Sequence, residues 1–335
     1  MIKASGLART FKARGRTVEA VRGVDLEVEA GELVGFLGPN GAGKTTTLRM
    51  LTTLLDPTAG EATVAGCDLR RDPVGVRRRI GSVAQGGGTT PELKVIEELV
   101  LQARFYGLSK ADAQRRATEL MARLDIADLD DRIIKTLSGG QRRRLDVALG
   151  LLHDPRLVFL DEPSTGLDPQ SRFNLWDHIR SLRDDHDTTV FLTTHYLDEA
   201  DALCDRILVI DHGRIVAEGS PSGLKAEVSG DRVEVGVPAE HVSRAAELAG
   251  QLTGAHEVSI VDTVVRFRVP QGDAALPEML RALDSEQIAM VSVQVVRPSL
   301  DDVFLTLTGR TLRDAEAEPA EEAPATKETE PANVA

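Results

Sequence analysis

The sequence is poor in aromatic residues, in cysteine and in positive charge, and it has no long apolar run. Aromatics make up 3% of the chain, so a core must be built from Leu, Val, Ile and Ala. Two cysteines, Cys67 and Cys204, cannot form a disulfide framework and show no paired metal-ligand spacing. Lys and Arg number 40 against 53 Asp and Glu, a net charge of -13, which excludes a protein held to nucleic acid by a basic face. No window approaches the roughly 18 apolar residues that a membrane helix needs. The N-terminus, MIKASGLARTFKARGR, carries charge without an apolar stretch behind it and is no signal peptide. What is there is 41% hydrophobic over 335 residues, enough for a sizeable core in a soluble, cytoplasmic protein. At roughly 150 residues per domain, the length predicts two domains.

Residues 1–222 alternate short apolar runs with helical stretches. GELVGFLG (31–38), RLVFLD (156–161), TTVFLTTH (188–195) and RILVIDHGRIV (206–216) read as strands. The first three are continuous and bounded by turn residues, which suits strands buried in a parallel sheet. KTTTLRMLTTLL (44–55) and SRFNLWDHIRSLRDD (171–185) read as helices between them, so the layer structure is α/β. Residues 87–150 hold no good strand; VIEELVLQARFYGL (95–108) and KADAQRRATELMARLD (110–125) predict an inserted helical subdomain.

GSPSG (219–223) breaks the pattern. Residues 231–310 then read β-α-β-β-α-β, with a turn at Asp262 between two strands and Pro277 weakening or shortening the second helix. That order matches the ferredoxin-like pattern of a small α+β accessory domain. A last helix, SLDDVFLTLTG (299–309), has Ser299 as its N-cap. Residues 311–335 are acidic, proline-containing and free of aromatics, and are expected to be a disordered tail.

The chemistry sits in GPNGAGKTT (38–46), between a predicted strand and a predicted helix. Gly38, Gly43, Lys44 and Thr45 fit G-x-x-x-x-G-K-[ST]. The loop runs through Gly38, Pro39, Asn40, Gly41, Ala42 and Gly43 to Thr46, and its backbone N–H groups, all but that of Pro39, which has none, can curl around phosphates at a helix N-terminus; Lys44 can reach the β- and γ-phosphates, and the Thr45 hydroxyl can hold Mg²⁺. LVFLDEP (157–163) delivers Asp161 for Mg²⁺ and Glu162 as a general base from a strand end. LSGGQ (137–141) opens another helix, and Ser138, Gly139, Gly140 and Gln141 make a second anion-binding N-terminus. One phosphate group does not need two such loops from one subunit, so this loop is expected to face a partner's nucleotide. The arginines 142–144 that follow read as a solvated, partner-facing surface rather than a nucleic-acid patch.

With LSGGQ the sequence strongly resembles the ATP-binding subunits of ABC transporters over residues 1–220. The remaining motifs follow in that family's order. The resemblance makes Gln85 in SVAQ the glutamine of the Q-loop, touching Mg²⁺ and water. It makes Asp168 in STGLD the D-loop aspartate, His195 in TTHYLDEAD the switch histidine, and Phe11 the aromatic stacking on adenine. GGG (86–88) after Gln85 departs from the family pattern and leaves the transmission geometry open. The implied fold is a P-loop ABC ATPase with an inserted helical subdomain. The implied assembly is a head-to-tail homodimer that closes on ATP.

Within the family, the phosphate loop, the SRFNLWDHI segment and RPSLDDVFLTLTGR (297–310) resemble ATPases of the daunorubicin-resistance exporter type. Such proteins pair with a separate transmembrane permease at the cytoplasmic face of the membrane and export drugs, antibiotics or lipids. An importer ATPase, or a soluble ABC ATPase acting on ribosome or DNA, stays open as an alternative. One P-loop, one LSGGQ and no heptad run argue against the last of these.

Overall fold

In the computed structural model, residues 1–13, 16–86, 88–184, 187–228, 230–311 and 314 are described. The tail expected over 311–335 falls almost wholly outside them. The chain divides into two units, residues 1–220 and residues 221–311.

The first unit opens with a long antiparallel hairpin, β1 (Ile2–Ala13) and β2 (Arg16–Val28). Then come β3 (Leu33–Leu37), α1 (Lys44–Leu51), β4 (Ala59–Val64), β5 (Cys67–Asp68), α2 (Pro73–Arg79) and β6 (Ile80–Val83). The helical stretch α3 (Val95–Phe105), α4 (Lys110–Arg123) and α5 (Gly139–Gly150) precedes β7 (Leu157–Asp161) and α6 (Pro169–Asp184). β8 (Thr189–Thr194), α7 (Leu197–Leu203), β9 (Arg206–Asp211) and β10 (Arg214–Gly219) complete it.

Two sheets result, β2-β1-β4-β5 and β10-β9-β3-β8-β7-β6. Pairings within the second are parallel except β9 with β10. Every residue of β3, β7 and β8 is buried, as expected for strands covered on both faces. Three of the chain's scarce aromatics pack there: the Phe191 ring lies 5.6 Å from Phe36 and 5.7 Å from Phe159. Among the described residues no strand lies between β6 and β7. α4 is capped by Ser109, whose hydroxyl accepts the Asp112 N–H. Residues 206–216 are not one strand but a hairpin; His212, at φ 45°, and Gly213, at φ 76°, turn the chain between β9 and β10. Two left-handed residues in succession match the twist of a tight hairpin.

The second unit contains α8 (Pro221–Glu227), β11 (Asp231–Gly236), α9 (Val242–Gln251), β12 (His256–Val261), β13 (Val264–Val269), α10 (Gly272–Ser285), β14 (Ser292–Val296) and α11 (Leu300–Thr308). Its sheet is antiparallel with order β12-β13-β11-β14. The first and third strands of the β-α-β-β-α-β run are therefore central, the ferredoxin-like arrangement. Val242, Ala245 and Leu248 of α9 and Ala275, Met279 and Leu283 of α10 pack on Val233, Val235, Val265 and Phe267. Asp262 turns β12 into β13 with φ 54°. Pro277 does not shorten its helix: α10 runs through it for 14 residues. The apolar stripe of α10 outweighs one missing N–H. The strand predicted from residue 288 begins only at Ser292, because Ile288 N–H still bonds back to Leu283 O.

Candidate functional site

The phosphate loop is residues 38–43, between β3 and α1. Two glycines have no substitute. A Cβ on Gly38 would stand 2.2 Å from the Ile210 carbonyl oxygen. Gly43, at φ +107°, would bring one to 2.6 Å from Ala20 O. Lys44 begins α1, is only 4% exposed, and donates to Gly38 O at 2.8 Å and Pro39 O at 3.1 Å. It is folded over its own loop, where an anion bound by the loop would meet it.

At the end of β7 the chain leaves the sheet through Asp161 and Glu162. Glu162 has φ +44°, in the left-handed region that a side chain seldom adopts. Such a conformation costs about 1–3 kcal/mol and persists only where the surroundings fix it. β8 supplies part of that restraint: Glu162 N–H donates to both the carbonyl and the hydroxyl of Thr193, each at 3.1 Å.

The same Thr193 hydroxyl donates to Asp161 Oδ1 at 2.6 Å, and the Thr45 hydroxyl donates to that oxygen at 3.2 Å. Thr45 and Asp161, from α1 and β7, thus present hard oxygens side by side. This pair fits Mg²⁺, which takes few protein carboxylates and completes its shell with water and phosphate oxygens.

Four side chains converge on the Glu162 carboxylate. Lys44 Nζ is 3.4 Å and His195 Nδ1 3.3 Å from Oε1. Gln85 Nε2 donates to Oε2 at 3.0 Å, and the Thr165 hydroxyl donates to it at 3.2 Å. Burial alone would raise the carboxyl pKa; the His195 contact and the Lys44 charge outweigh it and hold Glu162 down at about 2. It is therefore an ionised carboxylate at neutral pH.

Other predicted residues lie apart from this cluster. Ser138 is the N-cap of α5: its hydroxyl accepts the Gln141 N–H at 3.3 Å, and its own N–H donates to Gln141 Oε1 at 3.0 Å. This capping box defines the helix start whose first turn includes Gly139 and Gly140. Asp168 caps α6, accepting from the N–H and hydroxyl of Ser171 at 3.0 and 2.6 Å. Phe11 is half-buried in β1, with the Arg9 guanidinium carbon 4.8 Å from its ring centre.

Sequence reasoning missed three polar residues. Thr193 could have been suspected, because it interrupts an apolar central strand. Glu199, in α7, is fully buried and accepts from Trp176 Nε1 at 3.1 Å and from the Ser164 hydroxyl, which ties α7 to the start of the D-loop. Burial pushes its carboxyl pKa up, against those hydrogen bonds. Arg143 reverses the expectation for 142–144. It is 7% exposed and donates to three main-chain carbonyls, so it belongs to the interior, not to a solvated surface. A run of three arginines gives no sign of which one turns inward.

Residues 21–165 match the ABC transporter family, and residues 219–308 match the C-terminal domain of DrrA1-3-like ATP-binding proteins. The daunorubicin resistance ATP-binding protein DrrA2 of Streptomyces coeruleorubidus is 43% identical over 316 residues, covering 93% of this chain and 98% of that protein. The doxorubicin resistance ATP-binding protein DrrA of Mycobacterium tuberculosis is 41% identical, covering 91% of this chain and 92% of its own length. Among solved structures, the dimeric bacterial ABC transporter cassette MJ0796 superposes with a TM-score of 0.61 at 27% identity, covering 66% of this chain and 98% of that one. The chain is thus an ATPase and belongs to the ATP-binding subunits of ABC transporters, in the group that includes the daunorubicin-resistance ATPases.

Proposed function

We propose that this ATPase works as a homodimer on a separate transmembrane permease, at the cytoplasmic face of the membrane, and energises export of a drug, antibiotic or lipid. ATP lies on loop 38–46 with Lys44 at its β- and γ-phosphates and Phe11 against its adenine. Thr45, Asp161 and Gln85 hold Mg²⁺, which when bound neutralises charge on the β- and γ-phosphates. Glu162 takes the proton of the attacking water, and His195 and Gln85 orient that water. The loop of Ser138, Gly139, Gly140 and Gln141, with Asp168, completes the partner's site.

The observation that carries this reading is the convergence of Lys44, His195 and Gln85 on an ionised Glu162. The MJ0796 cassette is dimeric, and one of its structures contains ADP and Pi; those facts support the dimer. No helix among the described residues is long and apolar enough to cross a membrane. Transport therefore calls for a membrane partner. Exposed Phe105, 74% accessible at the end of α3, with Leu101 and Tyr106 nearby, supports an apolar docking point for it. The relatives' names point to exported compounds: daunorubicin and doxorubicin resistance, Nod factor export and linearmycin resistance. The test is purification of the tagged chain from membranes of its native host. A six-span permease should co-purify, and cells lacking the ATPase should gain sensitivity to an exported compound. Recovery with a periplasmic-binding-protein importer, or on ribosomes, would overturn the reading.

A further inference from the structure

Arg143 lies in α5, five residues after the Ser138 N-cap. Its guanidinium is sunk among main-chain carbonyls. Nη1 donates to Ala84 O at 2.7 Å, Nη2 to Asp161 O at 2.9 Å and Nε to Pro163 O at 2.9 Å. The three acceptors are not scattered. Ala84 O belongs to the peptide that joins Ala84 to Gln85. Asp161 O belongs to the peptide that enters Glu162, and Pro163 O to the peptide that joins Pro163 to Ser164. One planar fork therefore grips the backbone on both sides of Glu162 and on the approach to Gln85.

Glu162 needs such a grip, because its φ of +44° is strained. Thr193 holds its N–H from the β8 side; Arg143 holds the flanking carbonyls from the α5 side. Among the described residues, only Asp146 Oδ2 comes within ion-pair reach of Arg143, at 4.0 Å. Its charge-assisted donation to three carbonyls holds this buried cation in place. Neighbouring Arg142 donates to the Thr89 hydroxyl at 3.1 Å.

We propose that Arg143 is a positioning residue for hydrolysis: it locks Gln85 and Glu162 to the helix that carries the Ser138 loop, so that the water-orienting groups of one site keep register with the loop presented to the other. The inference rests on the roles proposed above for Glu162 and Gln85. Arg143 touches no reacting atom. It acts through the peptides of residues that do.

The experiment uses the full-length ATPase with Arg143→Lys and Arg143→Gln, alone and combined with Glu162→Gln. Steady-state kcat and KM for MgATP, affinity for a fluorescent ATP analogue, the thermal midpoint and single-turnover hydrolysis are measured. kcat should fall by about 10- to 100-fold in Arg143→Lys, whose single ammonium cannot span three carbonyls. KM and analogue affinity should stay within about threefold, since the phosphate loop is untouched. In single turnover, Arg143→Lys should add little loss on top of Glu162→Gln, because both act through the same group. A lysine variant with wild-type kcat, or a loss that multiplies independently of Glu162→Gln, overturns the proposal. If Arg143→Gln does not fold, the lysine variant still decides. Wild-type turnover of Glu162→Gln alone removes the base assignment instead, so the two failures are distinguishable.

Discussion

Lys44 Nζ stands 3.4 Å from Glu162 Oε1, with both side chains buried. The cation of the phosphate loop thus helps to keep the base at β7 ionised. Glu162→Gln removes the proton acceptor but keeps a side chain of the same shape. Its turnover should fall by about 10²- to 10⁴-fold while ATP binding persists. The pair also has a pH signature. The folded Glu162 pKa of about 2 lies below the ordinary glutamate value of 4.5, so the unfolded chain binds more protons between those values. Stability from this carboxylate is present above pH 4.5 and lost as pH falls toward 2. Acid titration of the denaturation midpoint should therefore be steeper in wild type than in Glu162→Gln. Equal slopes would contradict the pairing.

Thr193 serves two acidic neighbours at once, donating to Asp161 Oδ1 and accepting from the Glu162 N–H. Thr193→Val keeps the volume and deletes the hydroxyl. Asp161 then loses the partner that orients it toward the cation site. The Mg²⁺ concentration for half-maximal ATPase activity should rise by about 10- to 100-fold, and Thr193→Ser should restore it in large part. A valine variant with wild-type Mg²⁺ dependence would show that the orientation of Asp161 has other sources.

The motifs were legible because each sits where a strand meets a turn or a helix begins, and composition marks those places. Gly38, Gly43, Lys44, Glu162 and Ser138 all belong to that class. Thr193 and Arg143 were not, because their roles depend on long-range register: β8 lying beside β7, and α5 lying against the backbone around Gln85. Periodicity says that a residue is on a strand or helix but not which neighbour's carbonyl it meets. The small unit's strand order was suggested by element sequence alone. The persistence of α10 through Pro277 was not, since tertiary burial decides it.

Gly140 and the D-loop are linked through Ser171. A Cβ at Gly140 would meet Ser171 Oγ at 2.7 Å and Ser171 Cβ at 2.9 Å, while Asp168 holds that hydroxyl. Gly140→Ala must push α5 from α6 or break the Asp168 cap. It should lower ATPase activity by about tenfold and stability by about 1–2 kcal/mol. Ser171→Gly removes the obstructing atoms, so the double variant should be more stable than the sum of the single effects predicts. Strict additivity would mean that the clash is relieved elsewhere.

Asp146 titrates in the opposite sense to Glu162. It is buried in α5, Oδ1 has no hydrogen-bond partner among the described residues, and Arg143 stands 4.0 Å from Oδ2. Burial raises its pKa from 3.8 to about 6, against the pull of the Arg143 and Arg142 charges. The folded state therefore binds the proton more tightly than the unfolded state between those values. Stability from this group falls as pH rises from 4 to 6, and the ionised form is a net cost at neutral pH. Asp146→Asn should raise the denaturation free energy at pH 7.5 by about 1–3 kcal/mol, a range bounded by the size of the shift. It should change little at pH 4, where the wild-type side chain is already mostly neutral. Urea denaturation of both proteins at the two pH values checks this. A destabilised asparagine variant at pH 7.5 would mean that the Arg143–Asp146 attraction outweighs the cost of burying the carboxylate.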